Sequence, residues 1–270
     1  MKTLTTREIR KRKLSSGASV LQMLTCYDYQ SAKMLAATSV DMLLVGDSLG
    51  NVILGYDTTI PVTIDDMKTF AAAVRRGAPE KFLVVDLPFG ATATFDDGIK
   101  NSVELFRSTG AQALKVEGAS DHIVSIIRRL SETGVAVMGH IGLTPQSVHE
   151  LGGYFTHGKS TDSAHRLLEE AIKLEQAGAF AIVLECVDEA TATMISEKIR
   201  IPTIGIGSGD QVDGQVLVLN DLLGLSPDPA PKFVRPVANL FETKRQLVEK
   251  YLAESRQAIK SKTSKNVPAQ

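Results

Sequence analysis

An apolar run of about four to seven residues, a polar or glycine-rich loop and an amphipathic stretch of helical period follow one another eight times along this chain. No other feature constrains the fold as strongly. The runs lie at 20–26, 42–47, 82–87, 113–118, 135–140, 181–187, 203–207 and, least regular, 216–219. Continuous apolar runs read as strands buried on both faces, and strands that alternate with helices pair in parallel. Helical period predicts helices at 65–76, 95–108, 122–132, 163–177 and 189–198, with Gly77, Gly110, Gly134 and Gly178 where a helix ends by turning to φ > 0. Eight such units in 270 residues predict an α/β fold of the closed (β/α)8 TIM-barrel kind. An open doubly wound sheet would use fewer strands and carry a GxGxxG turn after the first, which is absent.

With 43% hydrophobic residues the chain can bury one large core, so a single catalytic domain over 1–254 is expected, followed by a polar, frayed tail over 255–270. The basic segment 1–16 contains Glu8 and runs straight into the first strand, which favours a solvated leading helix over a transit sequence. Thirty basic against thirty-one acidic side chains leave a formal net charge of -1, no field that would gather nucleic acid or an anionic membrane. Cys26 and Cys186 are far apart and form no CxxC pair, which predicts reduced thiols in a cytoplasmic protein and no sulfur-bound metal. No apolar stretch reaches the roughly 18–20 residues that cross a bilayer.

Four of the runs end on a carboxylate: Asp47, Asp86, Glu117 and Glu185. In a parallel barrel these ends meet at one mouth, where four anions would repel unless a cation, a lysine or protons intervened. A metal ion is the simplest resolution, and oxygen-only ligands suit a hard divalent ion such as Mg2+. A single strand-end carboxylate is more often a cap or a rim charge. Four at equivalent ends, with Lys115 two residues before Glu117 and so on the same strand face, read instead as a functional site. Glu185, in an apolar run that would raise its proton affinity, is the candidate general base. His140, ending the fifth run, is a second-tier candidate, either polarising a substrate oxygen or supporting another side chain. The 205–209 turn, with Ser208, offers a weak phosphate site or a close backbone approach. Loops at 48–64 and 141–162 are long enough to cover a site, and the second is the candidate lid.

Several runs together, Leu44-Val45-Gly46-Asp47-Ser48-Leu49-Gly50, Lys115-Val116-Glu117-Gly118, Gly139-His140-Ile141-Gly142-Leu143-Thr144-Pro145-Gln146-Ser147 and Asp213-Gly214-Gln215-Val216-Leu217-Val218 among them, resemble the ketopantoate hydroxymethyltransferase family. The resemblance runs in unbroken order over about 27–233. It implies a (β/α)8 barrel of the phosphoenolpyruvate/pyruvate-like superfamily, with Asp47, Asp86 and Glu117 as Mg2+ ligands. It further implies that Asp47, Ser48, Asp86 and Lys115 bind the ketoacid and that Glu185 accepts the proton. The implied reaction takes a one-carbon unit from 5,10-methylenetetrahydrofolate to 3-methyl-2-oxobutanoate and gives ketopantoate, in a homo-oligomer that is commonly a decamer. His157 and Ser208 stand where the family often has Gln and Ala. Residues that contact folate have no compact signature and stay unassigned.

Chemically, Glu185 would remove the C3 proton while Mg2+ stabilised the enolate. Two rivals share parts of this pattern. A Mg2+-dependent 2-oxo acid lyase or mutase of the phosphoenolpyruvate mutase type would handle the same enolate without folate, but the Lys-Cys-Gly-His loop of its lyase members is absent. A barrel that binds ketoacid without turnover is disfavoured by the complete set of Lys115, Glu185 and the three other carboxylates.

Overall fold

The computed structural model describes residues 4–13 and 19–265. All eight predicted strands are present: β1 (Leu21–Thr25), β2 (Met42–Val45), β3 (Phe82–Asp86), β4 (Ala113–Glu117), β5 (Val137–Gly142), β6 (Ala181–Glu185), β7 (Thr203–Ile206) and β8 (Gly214–Leu217). Each pairs in parallel with the next, and β8 closes on β1 through Leu21–Gly214 and Met23–Val216. The fold is a closed (β/α)8 barrel. Helices α1 (Thr6–Arg10), α2 (Tyr29–Ala36), α3 (Leu49–Val52), α4 (Ile64–Gly77), α5 (Phe95–Thr109), α6 (Asp121–Glu132), α7 (Val148–Leu151), α8 (Thr161–Gln176) and α9 (Glu189–Lys198) fill the connections. Their starts follow from local chemistry: Thr63, Thr94, Ser120 and Ser160 each accept a backbone N–H of the first turn. Their inner faces are apolar at helical spacing, as with Val124, Ile127 and Leu130 of α6.

Strand period decides what fills the barrel. Leu21 and Met23, Met42 and Leu44, Phe82 and Val84, Ala113, Met138, Ala181 and Val183, Ile204 and Val216 form one buried cluster. Phe82 and Phe180 meet edge to face with centroids 5.8 Å apart. Continuing the same alternation toward the strands' C-terminal ends brings Asp86, Lys115, Glu117, His140 and Glu185 to the inside. The apolar layers thus form the floor on which a charged layer stands.

Several expectations change. Helix α1 is not simply solvated: Ile9 is fully buried in the inner cluster, so the helix covers an end of the barrel. The rest of the predicted leading helix, 1–3 and 14–16, lies outside the described residues. Gly77 stays inside α4, with no positive φ among the chain's left-handed glycines. A Cβ there would lie 2.6 Å from Ala32 Cβ, so its role is close packing of α4 on α2. Gly110, Gly134 and Gly178 do take positive φ.

The chain divides into two compact units, Met1–Val218 and Leu219–Gln270, where one domain to residue 254 was expected. β8 completes the barrel at Leu217, so nothing later is needed to close the sheet. In the second unit α10 (Leu219–Leu223) is followed by a proline-rich turn held by Val237 N–H to Leu222 O and Phe241 N–H to Gly224 O, both 2.8 Å, and then by α11 (Leu240–Lys265). The expected frayed tail from residue 255 is therefore helical as far as Lys265. Its Arg, Gln, Ala and Lys residues are good helix formers, and no proline interrupts them before Pro268. No helix among the described residues is long and apolar enough to cross a membrane.

Candidate active site

A cavity of about 200 Å³ opens at the C-terminal end of the barrel and brings together Asp47, Ser48, Asp86, Lys115, Glu117, His140 and Glu185. Three strands supply Asp86, Lys115 and Glu185 from inward positions two residues beyond Val84, Ala113 and Val183, and Glu117 two residues beyond Lys115. Asp47 comes from the turn after β2, where its backbone N–H donates to Asp86 Oδ2 at 3.1 Å. Lys115 Nζ lies 3.1 Å from Asp86 Oδ2, 3.9 Å from Glu117 Oε1 and 3.2 Å from His140 Nδ1. His140 joins the two sides of the site: Nδ1 is 3.4 Å from Glu117 Oε1, and Nε2 is 3.3 Å from Glu185 Oε2. Ser48 Oγ shares a 2.8 Å hydrogen bond with Tyr27 Oη.

Crowded, buried carboxylates attract protons. Burial, then the Glu117 and Asp86 charges, push Asp47 from the ordinary carboxyl value of 3.8 up to about 8. Burial also raises Asp86, outweighing the Lys115 ammonium. Glu117 moves the other way: burial pulls it up, but His140, Lys115 and the Gln146 N–H hold it below the usual range. Burial and Lys115 act against a charged His140, yet Glu117 and Glu185 prevail and bring the ring to about 9. Lys115 is raised because four carboxylates outweigh its burial. The layer therefore holds excess negative charge that lysine and protons compensate in part.

Glu185 is less enclosed than its apolar run suggested, its side chain being 19% exposed and turned to the cavity. Directly after it, Cys186 has φ +48°, the one non-glycine residue with positive φ among those described. Such a conformation is costly and needs support. Ser208 provides it: the hydroxyl donates to Leu184 O at 2.8 Å and accepts from Val187 N–H at 3.0 Å. Ser208 is buried behind β6 and does not line the cavity, so the expected place near the mouth, or at a phosphate loop, is corrected to a brace under the Glu185 turn.

Sequence reasoning missed Gln146. Its Nε2 donates to Asp47 Oδ2 at 2.8 Å and to Leu87 O at 2.9 Å, and its backbone N–H donates to Glu117 Oε2 at 3.2 Å. It lies in the short 3-10 turn Pro145–Ser147 at the root of the candidate lid. The position directly after β5 was the available signal. Tyr154, farther along that loop, also lines the cavity. His157 is placed away from it, paired with the strand extension through its N–H to Cys186 O and the Asp188 N–H to its own carbonyl, both 2.8 Å.

Among the described residues no three His, Cys, Asp or Glu side chains already stand around one point as a metal cage. The Lys115 ammonium stands between Asp86 and Glu117. Asp47 and Asp86 are left as the adjacent pair able to hold a hard divalent ion. Asp86 Oδ1 is buried without a hydrogen-bond partner, a costly state that a cation or its waters would relieve, while Glu117 Oε1 has only its longer contacts to His140 and Lys115. Two carboxylates with the remaining positions left to water and substrate match how Mg2+ is commonly held.

The model of the family described as ketopantoate hydroxymethyltransferase matches residues 3–259. Relatives named 3-methyl-2-oxobutanoate hydroxymethyltransferase are 50% identical over 243 residues in Geobacillus sp. (strain WCH70) and 49% identical over 244 residues in Deinococcus radiodurans. Each alignment covers 90% of this chain, with 87% and 86% of the relatives. Among solved structures, a phosphonopyruvate hydrolase in complex with oxalate and Mg++ superposes with a TM-score of 0.62 at 11% identity, covering 94% of this chain and 88% of that one. A 2,3-dimethylmalate lyase of the PEP mutase/isocitrate lyase superfamily gives 0.58 at 15%, covering 94% and 99%. At such low identity these two speak for the shared barrel alone.

Proposed function

Because the chain belongs to the ketopantoate hydroxymethyltransferase family, a family of transferases, we propose that it carries a one-carbon unit from 5,10-methylenetetrahydrofolate to C3 of 3-methyl-2-oxobutanoate, forming 2-dehydropantoate for pantothenate synthesis. The observation that carries this reading is the convergence of Asp47, Asp86, Lys115, Glu117, His140 and Glu185 on one cavity sized for a small acid. The ketoacid lies with its charged end toward Lys115 and the Ser48 hydroxyl, which offset its negative charge and fix its orientation. That pose leaves C3 to Glu185, whose Oε2 takes the proton while His140 Nε2, 3.3 Å away, steadies the carboxyl group. A divalent cation of the Mg2+ type, held by Asp47 and Asp86 with Glu117 reached through water, would supply positive charge where the substrate's oxygens gain electron density. The C3 carbon then bonds to the donor's methylene carbon, water provides the hydroxyl oxygen, and tetrahydrofolate leaves.

The sequence relatives favour this reading over the lyase or mutase alternative, which shares the barrel at only 11–15% identity. The free Cys26 and Cys186 fit a cytoplasmic enzyme. Assembly into a homo-oligomer, a decamer by family resemblance, is part of the same proposal. Incubation with 3-methyl-2-oxobutanoate, Mg2+ and methylenetetrahydrofolate should give hydroxymethylated product by mass spectrometry. Absence of product with an intact, cation-loaded protein would refute the transfer.

A further inference from the structure

The barrel mouth has a second cavity that the ketoacid chemistry leaves unused. It measures about 580 Å³, against about 200 Å³ for the cavity holding Glu185. The smaller value suits a five-carbon acid and falls below the ~300–1,000 Å³ usual for sites that enclose larger ligands, so most of a folate must lie outside it. The two spaces back onto each other. Glu117 and Tyr154 line the first, while their chain neighbours Gly118 and Phe155 line the second. The loop between them is pinned to the chain that carries Glu185 by the 2.8 Å bond from His157 N–H to Cys186 O.

The second cavity has its own chemistry. The Phe155 and His157 rings are stacked, with centroids 4.5 Å apart and planes at 22°, and His157 Nε2 is buried without a hydrogen-bond partner. Lys159 and Arg166 bring two cations; neither makes a close salt bridge among the described residues, although the Arg166 charge acts on Glu170 one turn along α8. Glu170 is the one acid in the lining, and burial raises its carboxyl above the ordinary value. The start of α8 is already occupied by the Ser160–Ser163 capping box, so attraction for an anion rests on the two cations. A flat aromatic wall beside two cations against a single acid recognises an aromatic amide that bears carboxylates.

We infer that this cavity holds the aminobenzoyl-glutamate arm of the folate donor, whose pterin end and transferable carbon reach past Tyr154 to the ketoacid. The inference rests on the folate-dependent transfer proposed above. It makes the lid loop a partition with a substrate on each side. It also gives His157 a task in this chain, as the ring that backs Phe155.

Steady-state kinetics on the full chain test it, with Lys159→Gln/Arg166→Gln as the variant and Lys100→Gln/Arg107→Gln on α5 as a charge-matched control. The first should raise KM for methylenetetrahydrofolate about tenfold or more, as loss of a charge-assisted contact does, while KM for the ketoacid stays put. The control should leave both unchanged. A donor lacking glutamate, methylenetetrahydropteroate, should bind wild type about as weakly as it binds the variant. Exchange of the ketoacid's C3 hydrogen, which needs no donor, shows that the variant is folded. Product from wild type with a donor KM that the variant does not move overturns the arm's placement alone, as does an equal effect of the variant on the truncated donor. No product from wild type overturns the transfer reading and this inference with it.

Discussion

Asp47 and Asp86 carry the electrostatic weight of the site, and each makes a separate demand on it. Removing either should abolish cation-dependent ketoacid binding, so calorimetry on Asp47→Ala or Asp86→Ala should give the same weak affinity with and without Mg2+. A variant that still bound the ketoacid more tightly with Mg2+ would remove that residue from the chelate. The Asp47 carboxyl ionises near 3.8 in an unfolded chain but near 8 in the fold. Its contribution to the stability of the metal-free protein is therefore full below about pH 4 and is lost as pH rises toward about 8. A cation that binds ionised Asp47 reverses this loss. The gain in Tm on adding Mg2+ should accordingly be larger at about pH 8 than at about pH 5.5, and an equal gain at both would contradict the assignment. Much of this layer was legible from residue spacing: Lys115 and Glu117 share a strand face, and Asp86 and Glu185 end their runs. Gln146 was not legible, because its contacts to Asp47 and Glu117 span 99 and 29 residues and depend on how a loop turns. Ser208 was misread for the same reason, since a serine in a glycine turn looks alike whether it faces a ligand or braces the backbone behind it.

Elements were read more reliably than loops because apolar period reports burial directly. Helix α9 begins and ends where its period predicts, and α5 differs by one residue. Misreadings came where composition and conformation part company. Gly77 resembled a helix stop but is a packing site, where an added methyl group meets Ala32 Cβ and Tyr29 O, each at 2.6 Å. Gly77→Ala should force α2 and α4 apart and cost about 1–3 kcal/mol, an overpacking penalty measurable by denaturant unfolding. Mg2+ and ketoacid affinity should hardly change, because both helices lie outside the charged layer. A neutral or stabilising effect would show that the helices can yield without strain. Polar composition likewise suggested a frayed end from residue 255, where helix-forming residues continue α11 to Lys265.

On the scale of the whole molecule, the barrel works as a stack. Val84, Ala113, Met138 and Val183 belong to its floor, and the residues two further along β3, β4, β5 and β6, namely Asp86, Lys115, His140 and Glu185, form the charged layer above. Closure of β8 on β1 holds those groups in one ring, so residues as distant in sequence as Asp47 and Glu185 line one cavity. Fold and site were readable together for that reason: the alternation that fixes the apolar layers also aims the carboxylates. The seating of His157 against the chain just after β6 was not readable, because it depends on how the 141–162 loop turns back to pair with Val187. The measurement that tests the central claim most directly is deuterium exchange at C3 of 3-methyl-2-oxobutanoate, followed by NMR without folate. The account predicts exchange that requires Mg2+ and falls by at least about a hundredfold in Glu185→Gln, with ketoacid binding retained. Exchange that persists at the wild-type rate in that variant, or proceeds equally well without the cation, would contradict it.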